Sequence, residues 1–148
     1  MESWYPQQAA VRIVNRNSGL ELGVAGASPD FGGAVVQQSA DSSVNHQWQL
    51  VAAENGYYKI FNRNSGLVLG INGASTAAGA TALQWGDTLT ADHLWRVVDA
   101  GGGYRKLVNK NSGLVLGVKD GSKTSGAATL QWNDTGTLDH QWSLVQVG

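Results

Sequence analysis

An all-β fold with internal threefold symmetry is predicted by three observations. The first is a repeat: VNRNSGLELGVAGAS begins at Val14, FNRNSGLVLGINGAS at Phe61 and VNKNSGLVLGVKDGS at Val108, an offset of 47 residues both times with no insertion. The second is that everything downstream keeps this register: Gln37, Gln84 and Gln131; His46, His93 and His140; Trp48, Trp95 and Trp142 are each spaced by 47. The third is the local pattern, which consists of short apolar segments cut by Gly- and Asn-rich turns, with no helix-period run.

The second unit shows how each repeat reads. Tyr58–Asn62 alternates as a strand, and Asn62-Arg63-Asn64-Ser65-Gly66 is a polar turn in which Gly66 takes a left-handed conformation, as do Gly19 and Gly113. Leu67–Ile71 is a second strand, Asn72–Gly79 a small-residue loop, Thr81–Trp85 a third strand and His93–Val98 a fourth. That gives about four strands per unit and about twelve in all, arranged in repeats of approximately 8–57, 58–104 and 105–148 within one domain spanning 1–148. Three four-stranded units closed about an axis make a β-trefoil, a six-hairpin barrel with a triangular cap. A three-bladed propeller or an uncapped solenoid fits less well.

Composition narrows the function. Ten basic residues against eleven acidic leave no electrostatic footprint for nucleic acid or anionic lipid, and no apolar run is long enough to insert into a membrane. Without cysteine, disulfides, thiolate metal sites and cysteine nucleophiles are excluded. The three histidines lie in separate units without neighbouring ligands, so no metal site is expected. No GxSxG and no distinct carboxylate pair stands out from the threefold pattern, so neither an enzyme nor a bound cofactor is expected. Trp48, Trp95 and Trp142 repeat with the symmetry inside apolar segments and are expected in the core.

Each unit combines NxNSGLxLG, then VQQ or LQW, then HQW or HLW. Together these motifs resemble the ricin B-type lectin family, also classed among carbohydrate-binding modules, whose repeats end in Gln-any-Trp; the resemblance covers all three units. It implies a closing tryptophan in the core and non-catalytic binding of glycans or polysaccharide, of galactose type or another neutral sugar. Two departures repeat in every unit. His46, His93 and His140 stand where the family has Gln, and Gly23, Gly70 and Gly117 stand where it commonly has the Asp that anchors sugar hydroxyls.

Candidate site residues follow from both readings. Trp85 and Trp132 align with Gln38 of the first unit, an exchange that a surface accepts and a core does not; an exposed indole suits stacking on the C–H face of a pyranose. Asp92 and Asp139, with Asn45, occupy the place of the family's sugar-binding Asn and are candidate hydroxyl anchors. His93 and His140, with His46, either donate and accept beside them or tie loops to backbone. Gln84 and Gln131, with Gln37, either bond hydroxyls or cap a strand. Gly70 and Gly117 allow close approach of a ligand or a bulge. Asp87 and Asp134 are expected in Asx turns. The leading expectation is thus a lectin with up to three shallow sites, the second and third best equipped. The rivals are a protein-interaction trefoil that has lost sugar binding, expected to expose an apolar patch, and an inhibitor-type trefoil, disfavoured by the absence of an expanded loop.

The opening MESWYPQQAA has neither the basic start nor the apolar stretch of a signal peptide. Two expectations follow: a module cut from an exported polysaccharide-acting enzyme, with residues 1–10 as linker remnant and an extracellular location, or a free-standing cytoplasmic lectin.

Overall fold

The first unit contributes β1 (Ala10–Asn15), β2 (Glu21–Val24), β3 (Val35–Gln38) and β4 (Trp48–Ala52); the second β5 (Tyr57–Asn62), β6 (Val68–Ile71), β7 (Ala82–Trp85) and β8 (Trp95–Gly101); the third β9 (Tyr104–Asn109), β10 (Val115–Val118), β11 (Thr129–Trp132) and β12 (Trp142–Gln146). These come from a computed structural model that describes residues 10–147; the lead expected to be a linker remnant lies, but for Ala10, outside the described residues. Strands β1, β4, β5, β8, β9 and β12 pair antiparallel in a closed ring, β12 returning to β1. The other six form three hairpins, β2–β3, β6–β7 and β10–β11, which touch through the bridges Ala34↔Leu83, Thr81↔Leu130 and Val36↔Ala128. A closed barrel with a three-hairpin cap is a β-trefoil, and closure leaves the barrel no open edge.

One expected strand starts later than the sequence pattern indicates. Ala91–His93 is a 3-10 turn, closed by the Leu94 N–H donating to Ala91 O at 3.1 Å, and β8 begins only at Trp95. Val44–His46 and Leu138–His140 do the same in the other units. Each turn lifts an Asn-His or Asp-His pair out of the sheet and aims it beside the cap hairpin.

The NxNSG segments hold these turns in place. Asn62 Oδ1 accepts from the N–H groups of Asn64 (3.0 Å) and Ser65 (3.3 Å), which closes the turn, and Gly66 completes it at φ 75°. The same side chain's Nδ2 donates to Asn45 O in the first unit, Asn109 to Asp92 O, and Asn15 to Asp139 O, at 2.8–2.9 Å. Each unit therefore clamps the carbonyl of a site residue in the unit before it. All three asparagines are buried, so the clamp acts where water does not compete.

Trp48, Trp95 and Trp142 are fully buried, as expected, among Ile13, Leu22, Ile60, Leu69, Leu107 and Leu116. Their indole N–H groups donate to Leu22 O, Leu69 O and Leu116 O at 2.9–3.0 Å, so each ring fills the core and ties the end of the barrel to a cap strand. Trp95→Ala is expected to destabilise the protein by about 3–5 kcal/mol, because it opens a cavity and orphans the Leu69 carbonyl. Urea unfolding followed by circular dichroism measures the shift.

Candidate functional site

Two symmetry-related grooves lie between the cap hairpins and the 3-10 turns. The second unit's groove, about 410 Å³, is walled by Asn72, Leu83, Trp85, Thr90, Asp92 and His93. The third unit's, about 260 Å³, is walled by Asp120, Leu130, Trp132, Thr137, Asp139 and His140. Trp85 and Trp132 end β7 and β11, paired with Val68 and Val115, and are 40% and 41% exposed. An aromatic strand end that keeps this much of its face in solvent lies at the surface rather than in the core.

Beside each indole sits a carboxylate. Asp92 is buried; its Oδ1 accepts from Thr90 Oγ1 at 2.6 Å, and its Oδ2 lies 3.4 Å from the Ile71 N–H and 3.5 Å from His93 Nε2. Asp139 Oδ1 accepts from Thr137 Oγ1 at 2.7 Å, and its Oδ2 is 3.5 Å from His140 Nε2. A carboxylate oxygen has two acceptor positions, so both groups keep capacity for a hydroxyl in the groove.

The first unit is built on the same backbone and closed. Gln38 replaces the tryptophan, and Glu21, paired with it across β2–β3, replaces the valine. Gln38 Oε1 lies 2.9 Å from His46 Nε2, and Glu21 Oε1 lies 3.0 Å from His46 Nδ1 and from Arg12. Asn45 is spent as well, accepting from the Val24 N–H at 2.9 Å and donating to Ser43 Oγ at 2.6 Å. Of the weaker candidates, Asn45 and His46 are therefore internal structure, not free groups.

Gln37, Gln84 and Gln131 need correction in the same sense, since all three are fully buried. Gln84 Nε2 donates to Ser28 O and Asp30 O at 2.8 and 2.9 Å, and its Oε1 accepts from Ser65 Oγ at 2.8 Å. Gln131 and Gln37 repeat the arrangement on the loops of the second and third units. Alternation along a strand explains it: the neighbour of an outward tryptophan points inward. The glutamines staple one unit's loop to the next and, fully buried, present no surface to a ligand.

Gly70 and Gly117 need the same correction, being buried with no open space beside them. A Cβ at Gly70 would come within 2.6 Å of His93 Cδ2, one at Gly117 within 2.5 Å of His140 Cδ2, and one at Gly23 within 2.6 Å of His46 Cδ2. The imidazole occupies the space that a side chain on the cap strand would need. The two departures from the family pattern, Gly on the strand and His on the turn, are thus one substitution made at two places.

The histidines of the open units are buried, and their Nδ1 atoms have no hydrogen-bond partner. The groups facing those nitrogens are Asp87 at 3.8 Å and Asp134 at 4.0 Å. Both aspartates make the expected Asx turns, Oδ1 accepting from the Leu89 and Gly136 N–H groups at 3.0 Å. Burial works against ionisation of Asp87, but the Lys59 hydrogen bond at 2.8 Å and the Leu89 N–H outweigh it and hold its pKa below the ordinary carboxylate value. The Lys106 hydrogen bond at 2.7 Å lowers the pKa of Asp134 in the same way.

Glu21 escaped the sequence reading, although LELG against LVLG was the visible signal. The Thr90 and Thr137 hydroxyls, which orient the carboxylates, escaped it too, although Ser43, Thr90 and Thr137 share the 47-residue register two places before Asn45, Asp92 and Asp139. The glycine–histidine packing is directly testable. Gly70→Ala is expected to cost about 1–3 kcal/mol in the native background and much less in His93→Ala, a coupling that a double-mutant cycle in urea reads out.

Comparison with known proteins agrees with this architecture. The chain matches the family described as ricin-type beta-trefoil lectin domain-like over residues 2–85 and 91–148. None of the curated proteins matches it. Among solved structures, it is similar to ThreeFoil, a designed threefold symmetric protein, at 39% identity and TM-score 0.92, covering 93% of this chain and 99% of that one. It is also similar to part of an exo-β-1,3-galactanase from Clostridium thermocellum, at 32% identity and TM-score 0.94; the match covers 99% of this chain but only 32% of the galactanase. A ricin B-like lectin from Macrolepiota procera, solved with lactose, shares the fold at 18% identity and TM-score 0.84, covering 98% of this chain and 100% of that one.

Proposed function

The chain belongs to the ricin-type beta-trefoil lectin domain-like family, and from that footing we propose that it is a non-catalytic carbohydrate-binding protein with two working sites, the grooves at Trp85 and Trp132. The observation that carries this is the pairing, in both grooves, of a 40–41% exposed indole with a carboxylate held ready by a threonine hydroxyl. The C–H face of a pyranose stacks on the indole, and Asp92 or Asp139 accepts from its hydroxyls. His93 Nε2 and His140 Nε2 take the next polar group of the sugar.

The closed unit supports this assignment of the imidazole. There Gln38 Oε1 sits 2.9 Å from His46 Nε2, an oxygen contact of the kind this reading gives a saccharide in the open units. The first unit carries, in effect, its own occupant. The rival protein-interaction reading expects an exposed apolar patch; what favours the lectin reading is that Asp92 and His93, and Asp139 and His140, bring polar groups beside both indoles.

The ligand we propose is a neutral sugar of galactose type, presented many times on a polysaccharide. The support is the similarity to part of a galactanase, the chain spanning 32% of that protein's length. The same similarity supports a role as a binding module beside a catalytic region acting on polysaccharide outside the cell. Single shallow grooves bind weakly, and two on one rigid body raise avidity on a multivalent glycan by up to about 10²–10⁴.

A glycan array with the folded chain is expected to give a related set of neutral, galactose-containing hits, all abolished in Trp85→Ala/Trp132→Ala. Binding retained by that variant with its circular dichroism intact would sink the platform assignment. Conversely, Glu21→Val/Gln38→Trp/Asn45→Asp copies the indole and the carboxylate of the open units into the first one. It is expected to raise the stoichiometry by titration calorimetry from two saccharides per chain to about three.

A further inference from the structure

The loop joining β2 to β3 carries Phe31, where the second unit has Ala78 and the third Ser125. This loop is fixed. Besides the two bonds from the Gln84 side chain, the Gly32 N–H donates to Gln84 O at 2.8 Å and the Gln84 N–H donates to Gly33 O at 2.9 Å. It delivers the phenyl ring, 59% exposed, next to the Trp85 indole with centroids 5.1 Å apart and planes tilted by 55°.

The receiving strand end is shaped for it. The ring lies over Gly86, where a Cβ would come within 2.6 Å of Phe31 Cζ. At the symmetry-related places the corresponding pairs are Ala78 with Asn133 and Ser125 with Ser39, the last joined by the Ser39 N–H donating to Ser125 Oγ at 3.1 Å. The largest loop residue thus meets the one strand end without a side chain. The second groove, moreover, does not stop at the indole. Asn72, Leu83 and Trp85 also wall a second depression of about 330 Å³, closed on its far side by Gly32, Ala34 and Val35 of the Phe31 loop and the strand after it.

We propose that the second groove is an extended saccharide site that takes at least two consecutive sugars of a chain, the first on Trp85 beside Asp92 and the next against Phe31. The third groove, which lacks the phenyl ring, takes one. This rests on the reading of both grooves as saccharide sites. The phenyl ring sets a second exposed aromatic surface directly beside the indole, tilted to it by 55°, so a chain leaving the first surface meets the second. The class is neutral oligosaccharide: Asp92 in the groove and the exposed Asp30 beside Phe31 disfavour anionic sugars. A loop already rigid before binding loses little entropy when the second sugar arrives.

The test uses galactose, β-1,3-galactobiose and β-1,3-galactotriose as probes in a Trp132→Ala background, where only the second groove is read. Calorimetry is expected to show galactobiose binding about fivefold more tightly than galactose, and Phe31→Ala to bring that ratio to about one. A ratio that survives Phe31→Ala, or a parent that binds galactose and galactobiose equally, overturns the extended site while leaving the groove reading intact. No binding of any of the three overturns both. Grafting the pair as Ala78→Phe/Asn133→Gly in a Trp85→Ala background should transfer the chain-length preference to the third groove. A folded graft with a ratio of one counts against the phenyl ring as the reader of the second sugar.

Discussion

The bond from each buried indole N–H to a leucine carbonyl of a cap strand is the contact on which the site geometry depends. Trp95 stands two residues after His93, and Leu69, whose carbonyl it holds at 3.0 Å, stands immediately before Gly70. One hydrogen bond in the core thereby fixes the turn that carries the imidazole against the strand that must make room for it. The Asn109 clamp on Asp92 O then sets the carboxylate from the other side. Threefold repetition of these bonds gives three equivalent turn-and-strand frames, so the grooves inherit their precision from the core rather than from loops of their own.

On such a scaffold, the three units differ by a few side chains that break the symmetry. A valine–tryptophan pair across the cap hairpin leaves a groove with an aromatic wall; a glutamate–glutamine pair at the same place fills it and satisfies both imidazole nitrogens. In the other two units the Nδ1 atoms of His93 and His140, which face Asp87 and Asp134, have no hydrogen-bond partner, and a buried polar atom without one is unfavourable.

The architecture was legible because periodicity is a property of the whole chain: the 47-residue register alone implies the closed barrel and cap, and Gly66 in its left-handed turn and Trp95 in the core follow from it. The exposure of Trp85 and Trp132 was legible from the glutamine that replaces them. What escaped depends on contacts between residues distant in sequence. Gly70 reads as room for a ligand until His93 is seen in that space. Gln84 reads as a site residue until strand alternation is taken together with the loop of the preceding unit, whose carbonyls it holds. Phe31 carries no repeat signal, because its meaning lies in Gly86, which belongs to another unit.

The most direct test of the account is a crystal structure of the protein soaked with galactose. The account predicts a pyranose stacked on Trp85 and another on Trp132, each with hydroxyls on the neighbouring aspartate, and no sugar at Gln38. A sugar seated against Gln38 and His46, or one bound away from both indoles, would contradict it.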